Sequence, residues 1–484
     1  MQIQDKLRAG LRSYASVRLL TQITSWLGTV YVVRHLNSTE LGRFGIALVV
    51  FNYLSMTYDG SLVEALIQHP PESDEERRAA FTMLVSIGLL LSAMTALAAG
   101  AIGRWVGDEA VTPLVIGIAA ALVVTSFSVL PQARLARQMD FRRLAIIGAI
   151  QAVATTVCTV GLVSRGVGAW ALVGGQIVGA VVRTAMLNRY SPSLFVPTQR
   201  VAAALRHVRF GGVLFVDNLL WRWYTSLDTL LLGRWVGTTQ LGFYNLAQQV
   251  AELPLEKIST VVNDVSLPAY AELRQDPRAS QDLLRETIRT HATIGFAIFW
   301  GLAAVSSVAI AVLFGTRWRA SVVPLAALAA VAPLRLIGSV ETPAMTGIGR
   351  PSVLVRSKLI VAPAMTLGMI AGCRAAGIRG AAFVWLMVFP LAYLGGFRLV
   401  LRAAGLSIGE IWTVIRGPLF AATVMASAAF GICYLGARST WIPLFTLLAA
   451  ILTGVMVYAI ALRIFDPAAF DLMRIRLRRF LVSA

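Results

Sequence analysis

Arg34–Ala47 reads RHLNSTELGRFGIA, and Arg234–Ala247, two hundred positions further on, reads RWVGTTQLGFYNLA. Arg, Thr, Leu, Gly and Ala recur at the same offset at 34/234, 39/239, 41/241, 42/242 and 47/247, with Ser/Thr, Glu/Gln, Phe/Tyr and Ile/Leu exchanges between them and no gap. Self-similarity at a fixed spacing is the signature of a duplicated architecture. Chance matching in an Ala- and Leu-rich chain is the competing explanation, so the rest of the sequence has to support the duplication.

The chain has 484 residues, of which 57% are hydrophobic and only 14% charged, against about 25% charged in soluble domains. Apolar stretches of about 20 residues, each long enough to cross the hydrocarbon as a helix, recur along the whole length. Alternation of strand type is missing, which argues against a β-barrel. The expected fold is an all-α polytopic membrane protein with about fourteen transmembrane helices, the first over 12–33 and the last over 441–463, with 110–133, 353–373 and 379–398 among those between; twelve or thirteen is the main competing count. The first stretch carries Arg18 and runs into Val32, Val33, Arg34 and His35 without a small-residue cleavage pattern, so it is expected to stay in the mature protein.

The net charge of +19 is distributed by side. If Lys6, Arg8 and Arg12 are cytoplasmic, the loops on that side hold Arg134, Arg137, Arg142, Arg143, Arg200, Arg206, Arg209, Arg350, Arg356 and Lys358, whereas the opposite loops hold isolated residues such as Arg165, Arg234 and Arg438. This is the asymmetry of the positive-inside rule. It puts both termini in the cytoplasm and makes nucleic acid an unneeded partner for the excess charge. The lipid bilayer is the partner that composition demands.

The break Arg189–Arg209, with Pro192 and Pro197, leaves six spans before it and eight after. The repeated turn then lies between the first and second spans of each half. Ala136–Arg143, ARQMDFRR, and Gly349–Arg356, GRPSVLVR, are a weaker echo in equivalent loops. An even number of spans between repeats gives two parallel, pseudo-symmetric six-helix bundles with a site between them, followed by two additional helices. The organisation is 1–188 (first lobe), 189–209 (cytoplasmic linker, with Val201–Arg209 as a basic amphipathic helix), 210–400 (second lobe), 401–466 (two C-terminal helices) and 467–484, a basic amphipathic tail suited to anionic headgroups.

Ionisable residues inside spans are functional candidates because burying them is costly. Asp217, Trp221, Tyr224 and Asp228 follow helical spacing and form one stripe of the seventh span; Gln248, Glu252, Glu256, Ser259 and Asn263 do so in the eighth, around Pro254. The first span offers Tyr14, Arg18, Thr21, Ser25 and Gly28, the second Asp59, and the tenth Arg335, Ser339, Thr342 and Thr346. Each group alone is equally well explained as a packing lock between helices. Together the stripes favour a hydrated lumen, in which Arg18, Arg335 and the off-stripe Arg222 supply fixed positive charge and grip anionic oxygens. Trp221 and Tyr224 offer faces for sugars, Asp228 lies beside them, and Asp59, Asp217 and Glu252 either pair with the arginines or titrate with a coupling proton.

Enzyme chemistry has little support. Lysine occurs only at 6, 257 and 358, so no phosphate-binding G-x-x-x-x-G-K-[ST] loop exists; His35, His69, His207 and His291 are scattered, and Cys158, Cys373 and Cys433 lack metal-site spacing. The expectation is no catalytic residues, no metal and no cofactor.

The run Leu227–Ala247, LDTLLLGRWVGTTQLGFYNLA, with Leu253, Pro254, Ser266–Tyr270 (SLPAY) and Phe314–Trp318 (FGTRW), resembles the Wzx-type polysaccharide and O-antigen flippases of the superfamily that also contains the MATE exporters and MurJ. The resemblance implies a bacterial inner-membrane protein that moves an undecaprenyl-diphosphate-linked oligosaccharide from the cytoplasmic to the periplasmic leaflet by alternating access, for lipopolysaccharide, exopolysaccharide or capsule. A polymerase and a chain-length regulator are the protein partners it implies. A MATE-like, cation-coupled drug antiporter is the alternative. A major-facilitator transporter fits less well, because His69–Arg78 reads HPPESDEERR. The repeated turn itself is expected to be scaffold: one joint used twice between the first two helices of each half, with Gly42 and Gly242 permitting tight turns.

Overall fold

The computed structural model describes residues 21–22, 24–56, 63, 66, 73–198, 212–439, 441–471 and 474, with backbone alone at 141, 212–215, 260–268, 271 and 274. Arg18, Asp59, the Val201–Arg209 segment and most of the 467–484 tail lie outside the described residues. A helix over 24–35 leads into α1 (Ser38–Met56), followed by α2 (Asp74–Val106), α3 (Val111–Ser126), α4 (Val129–Arg137), α5 (Phe141–Val163), α6 (Trp170–Tyr190), α7 (Gly212–Trp235), α8 (Thr238–Glu272), α9 (Pro277–Leu313), α10 (Val322–Gly338), α11 (Glu341–Gly347), α12 (Ser352–Ala404), α13 (Ile408–Arg438) and α14 (Pro443–Phe465). Among the described residues, eight helical segments are long and apolar enough to cross a membrane, or nine if the bent pair α3–α4 is one span. The chain is an all-α, multi-pass membrane protein, and fourteen spans are compatible with this set.

Two compact units divide the chain, one of residues 1–222 and 232–242, the other of 223–231 and 243–484. In the first, α2 packs on α3, α3 on α1 and α6, and α5 on α6. Helix α2 starts where Ser73 Oγ accepts the Glu76 amide at 3.1 Å, with Asp74, Glu75 and Glu76 at the positive end of the dipole, and stops at Gly107 in the left-handed region. The α5–α6 pair is drawn close by small residues: a Cβ at Gly175 or Gly179 would strike the Thr159 or Thr155 side chain.

The stretch 110–133, expected as one span, is broken. Helices α3 and α4 meet at 44°. Carbonyls at the break find donors from α6, with Thr184 Oγ1 bonding Val124 O at 3.1 Å and Asn188 Nδ2 bonding Phe127 O at 3.1 Å. A non-helical backbone at membrane depth is tolerated because these side chains replace the missing hydrogen bonds.

In the second unit α9 packs on α10 and α13, α13 on α14, and α10 on α12. Helix α13 opens with a capping box, Ser407 with Glu410, and Glu410 Oε1 also accepts from Arg285 of α9 at 2.7 Å. The 53-residue α12 is two helices joined at Ala376–Gly377, where Gly377 has φ 55°. They correspond to the separate stretches 353–373 and 379–398 expected from the sequence.

The repeated turns meet each other within the first unit. Thr39 Oγ1 lies 2.8 Å from Thr239 Oγ1. A Cβ on Gly42 would collide with the Thr238 carbonyl, and one on Gly242 with the Ser38 carbonyl. Neither glycine has positive φ, so the reason for glycine is the crossing of two backbones and not, as the sequence suggested, a tight turn. The two copies also start differently: Asn37 and Glu40 exchange side-chain to amide bonds of 2.8 and 2.9 Å, whereas Gly237 turns at φ 93°.

Asp108, in the loop before α3, ties this joint together by accepting Arg43 Nε at 2.7 Å, Thr238 Oγ1 at 2.8 Å and the Ala110 amide at 3.2 Å. Burial pushes its carboxyl up, but the bonds from Arg43 and Thr238, the Arg43 charge and the Ala110 amide outweigh burial and hold it below its ordinary value.

Three outcomes test this joint. Gly42→Val or Gly242→Val should each destabilise the purified protein by at least about 2 kcal/mol through overpacking against backbone, seen as a lower melting temperature; an unchanged melting temperature for both contradicts the crossing. A Thr39→Cys/Thr239→Cys pair should form an intramolecular disulfide on mild oxidation, identified by mass spectrometry of the linked peptides. Because the folded Asp108 carboxyl is depressed, its stabilisation is complete above the unfolded value and is lost as pH falls through the folded one. Asp108→Asn should therefore narrow its stability gap to wild type between pH 7 and pH 3.

Candidate functional site

Helix α7 contributes residues to both units. Asp217, Trp221 and Arg222 belong to the first; Tyr224 and Asp228 belong to the second, with Glu252 and Arg335. In the first unit, Asp217 is buried, Arg222 Cζ lies 5.1 Å from the Trp221 ring centroid, and the Arg222 carbonyl accepts from Tyr53 Oη at 3.1 Å. Trp221 is exposed on its helix.

The second unit gathers its polar residues into one connected network. Asp228, fully buried, accepts Tyr244 Oη at 2.6 Å and Trp385 Nε1 at 3.0 Å through Oδ2, and the Thr229 amide at 2.7 Å through Oδ1. All three are donors, the arrangement suited to an ionised carboxylate. Arg335, near the end of α10, places Nη2 3.0 Å from Glu252 Oε1, with side-chain exposures of 8% and 30%. Its guanidinium also lies 5.1 Å from the Trp385 ring centroid. Gln248, one turn before Glu252, donates to it at 3.3 Å and pairs its own carbonyl with Thr229 Oγ1 at 3.4 Å. One indole thus joins two charges: its face meets Arg335 and its edge N–H meets Asp228. Low dielectric makes such contacts strong and makes an incomplete network costly.

An aromatic ladder leads away along α12. Trp385, Phe389, Tyr393 and Phe397 are four residues apart, with successive ring centroids at 5.1, 5.6 and 5.3 Å, and Tyr224 lies 6.4 Å from Phe389. A second buried pair sits beside it, with Lys358 Nζ 3.6 Å from Glu341 Oε2. Lys358, read from the sequence as a loop charge, is in α12 and 9% exposed; its hydrophobic neighbours in sequence continue the helix through it.

The sequence had picked Asp228, Glu252, Arg335 and Tyr224, which the second unit holds together. It missed Tyr244 and Trp385 because an aromatic residue in an apolar span reads as packing. The four-residue spacing of the ladder from Trp385 to Phe397 was the available signal.

Residues 31–323 match the model of a family described as "Polysaccharide biosynthesis protein". The chain belongs to this family. Among curated relatives, the succinoglycan biosynthesis transport protein ExoT of Rhizobium meliloti is 28% identical over 410 residues, covering 82% of this chain and 80% of ExoT. The lipopolysaccharide biosynthesis protein WzxC of Escherichia coli is 24% identical over 344 residues, covering 70% and 69%. Among solved structures, the lipid II flippase MurJ in an inward closed conformation overlaps 95% of this chain and 99% of its own, with a TM-score of 0.79 at 17% identity. That likeness establishes the shared fold, the one that the repeat and the span pattern imply.

A family member with this network should respond to its disruption cooperatively. In a double-mutant cycle with Glu252→Gln and Arg335→Gln, followed by denaturant unfolding in detergent, a coupling of about 1–2 kcal/mol is expected for a contacting, largely buried pair. Strict additivity would show that the two side chains do not act on each other.

Proposed function

We propose that this protein is a flippase that moves an undecaprenyl-diphosphate-linked oligosaccharide from the cytoplasmic to the periplasmic leaflet of a bacterial inner membrane, supplying cell-surface polysaccharide assembly. The observation that carries the reading is the coincidence, on one chain, of membership in the polysaccharide biosynthesis family over 31–323 and a fold shared with a lipid II flippase over nearly the whole length. The physical task agrees with the residues. A diphosphate crossing hydrocarbon needs fixed positive charge, which arginine keeps at every accessible pH. Arg335 is such a charge, oriented by Glu252 and Trp385; Arg222 on Trp221 is a second, in the other unit. The sugars need amphipathic faces, for which Trp221 and Tyr224 serve, while the polyprenyl tail stays in lipid. Glu252 holds Arg335 when no substrate is bound and yields it to the phosphate, so the exchange of one anion for another costs little net desolvation. Asp228, Asp217 and Glu252 are the carboxylates at which a coupling cation or proton acts. The protein performs no covalent step, both termini are cytoplasmic, and a polymerase and chain-length regulator receive the product.

The test is a strain whose surface polysaccharide depends on this chain. Deletion should abolish the polymer and leave the lipid-linked repeat unit inaccessible to externally added lectin, and the wild-type chain should restore both. Arg335→Ala should lower restored polymer at least about tenfold, the scale of losing about 1.4 kcal/mol of a charged contact, at unchanged protein level. Full polymer in the deletion strain sinks the flippase reading; full polymer with Arg335→Ala sinks only the role given to that arginine.

A further inference from the structure

The span that carries Arg335 is interrupted one turn beyond it. Helix α10 ends at Gly338, Ser339 and Val340 form the break, and α11 starts at Glu341. The fourth span of the first half is interrupted in the same way between α3 and α4, at Phe127 and Ser128. A proline stands four residues past the first break residue in each case, Pro131 after Phe127 and Pro343 after Ser339, and its nitrogen carries no hydrogen for that residue's carbonyl. A break hydroxyl turns back onto the preceding turn in both: Ser128 Oγ bonds Thr125 O at 2.6 Å and Ser339 Oγ bonds Leu336 O at 2.7 Å. An interruption present at corresponding positions of the two halves points to use in transport.

In the second unit the two sides of this break are held by different partners. Before it, α10 packs on α9 as well as on α12, and its Arg335 is held by Glu252 of α8. Beyond it, α11 packs on α12, and its first residue, the buried Glu341, pairs with Lys358 in the first half of α12. The two halves of α12 make one support, because a Cβ on Gly380 would strike the Gly372 carbonyl and one on Gly396 would lie 2.5 Å from Ser357 Oγ, next to Lys358. The end of α10 touches that support: a Cβ on Gly338 would lie 3.2 Å from the Tyr393 ring. Tyr393 is the third rung of the ladder that starts at Trp385, the indole facing Arg335. A displacement at the break therefore reaches Arg335 by two routes, along the chain and through the rings. Apolar residues of similar volume would join α11 to α12 at lower desolvation cost than a lysine and a glutamate, and charges kept in a span mark use.

We infer that Ser339 and Val340 form a hinge in the tenth span and that Glu341 and Lys358 are positioning residues, which hold α11 on α12 while α10 turns about the break and Arg335 leaves Glu252. The inference rests on the flippase reading and adds to it the joint at which the second unit moves. Hinges lie where a few residues at the end of an element absorb the change in φ and ψ, away from the ligand itself. The Glu341–Lys358 pair keeps the far side of the joint fixed in both arrangements, so only the near side has to move.

The test combines hydrogen–deuterium exchange over residues 335–347 of the full-length protein in nanodiscs with polymer restored in the deletion strain. Pro343→Ala returns an amide donor to the Ser339 carbonyl and should straighten the span. The expected result is slower exchange over the break, a melting temperature at or above wild type, and polymer lowered at least about tenfold. A proline with a structural role alone gives a lower melting temperature or full polymer. Glu341→Gln and Lys358→Met should each speed exchange over 341–347 and lower polymer, and the exchanged pair Glu341→Lys/Lys358→Glu should recover both, which lost packing does not. Unchanged exchange in Pro343→Ala, or slower exchange with full polymer, overturns the hinge and leaves the flippase reading intact. An exchanged pair that recovers neither readout overturns the positioning role. If Glu341→Gln or Lys358→Met does not fold, as judged by gel filtration, the Pro343→Ala variant still decides the hinge and the exchanged pair still decides the pairing. If the wild type does not restore polymer, the flippase reading fails, and exchange in Pro343→Ala alone decides whether the break is a joint.

Discussion

The first unit depends on two backbones that cross with nothing between them. At Gly42 and Gly242 each chain lies against the carbonyl of the residue ahead of the other turn, and the Thr39 and Thr239 hydroxyls meet beside the crossing. Contact at this range needs the absence of Cβ on both sides. It brings the start of α8, two hundred residues away in sequence, into the same compact unit as α1. Asp108 then fastens the crossing by holding Arg43 from one turn and Thr238 from the other. A duplicated sequence has become a self-complementary contact.

The second unit solves a different problem, how to keep charge inside an apolar bundle. Asp228 is satisfied by three donors and Arg335 by one carboxylate and one indole face. Trp385 serves both, so neither charge can be moved without disturbing the other. Networks of this kind are costly when partial and stable when complete. In the flippase reading proposed above, an anionic ligand that competes for Arg335 would change what the whole network holds.

Much of this is legible in the sequence. The span pattern, the broken linker and the repeat established a helical membrane protein with a duplicated plan, because hydrocarbon thickness imposes a length on every crossing segment. Helical spacing also selected Asp228, Glu252, Arg335 and Tyr224, because residues three or four apart share a face. Other features escaped it. Arg183, which bonds Gln132 and Gln151, lay in a stretch apolar enough to read as ordinary span, Lys358 looked like a loop charge, and Pro131, which has no N–H for the Phe127 carbonyl four residues back and so marks the break between α3 and α4, sits in a stretch whose hydropathy reads as one continuous span.

The sequence by itself determined that the chain crosses the membrane as many helices, that its plan is repeated and which charges are candidates, since these follow from local periodicity and from the cost of burying a charge. Tertiary structure alone decided partnership. Whether an arginine meets a carboxylate, two amides or an aromatic face depends on which helices are neighbours, and helix neighbours are chosen by packing between segments tens to hundreds of residues apart. For the same reason the repeated turn revealed its resemblance in the sequence but its purpose only in space: the need for glycine at 42 and 242 arises from the other copy, and no local rule records it.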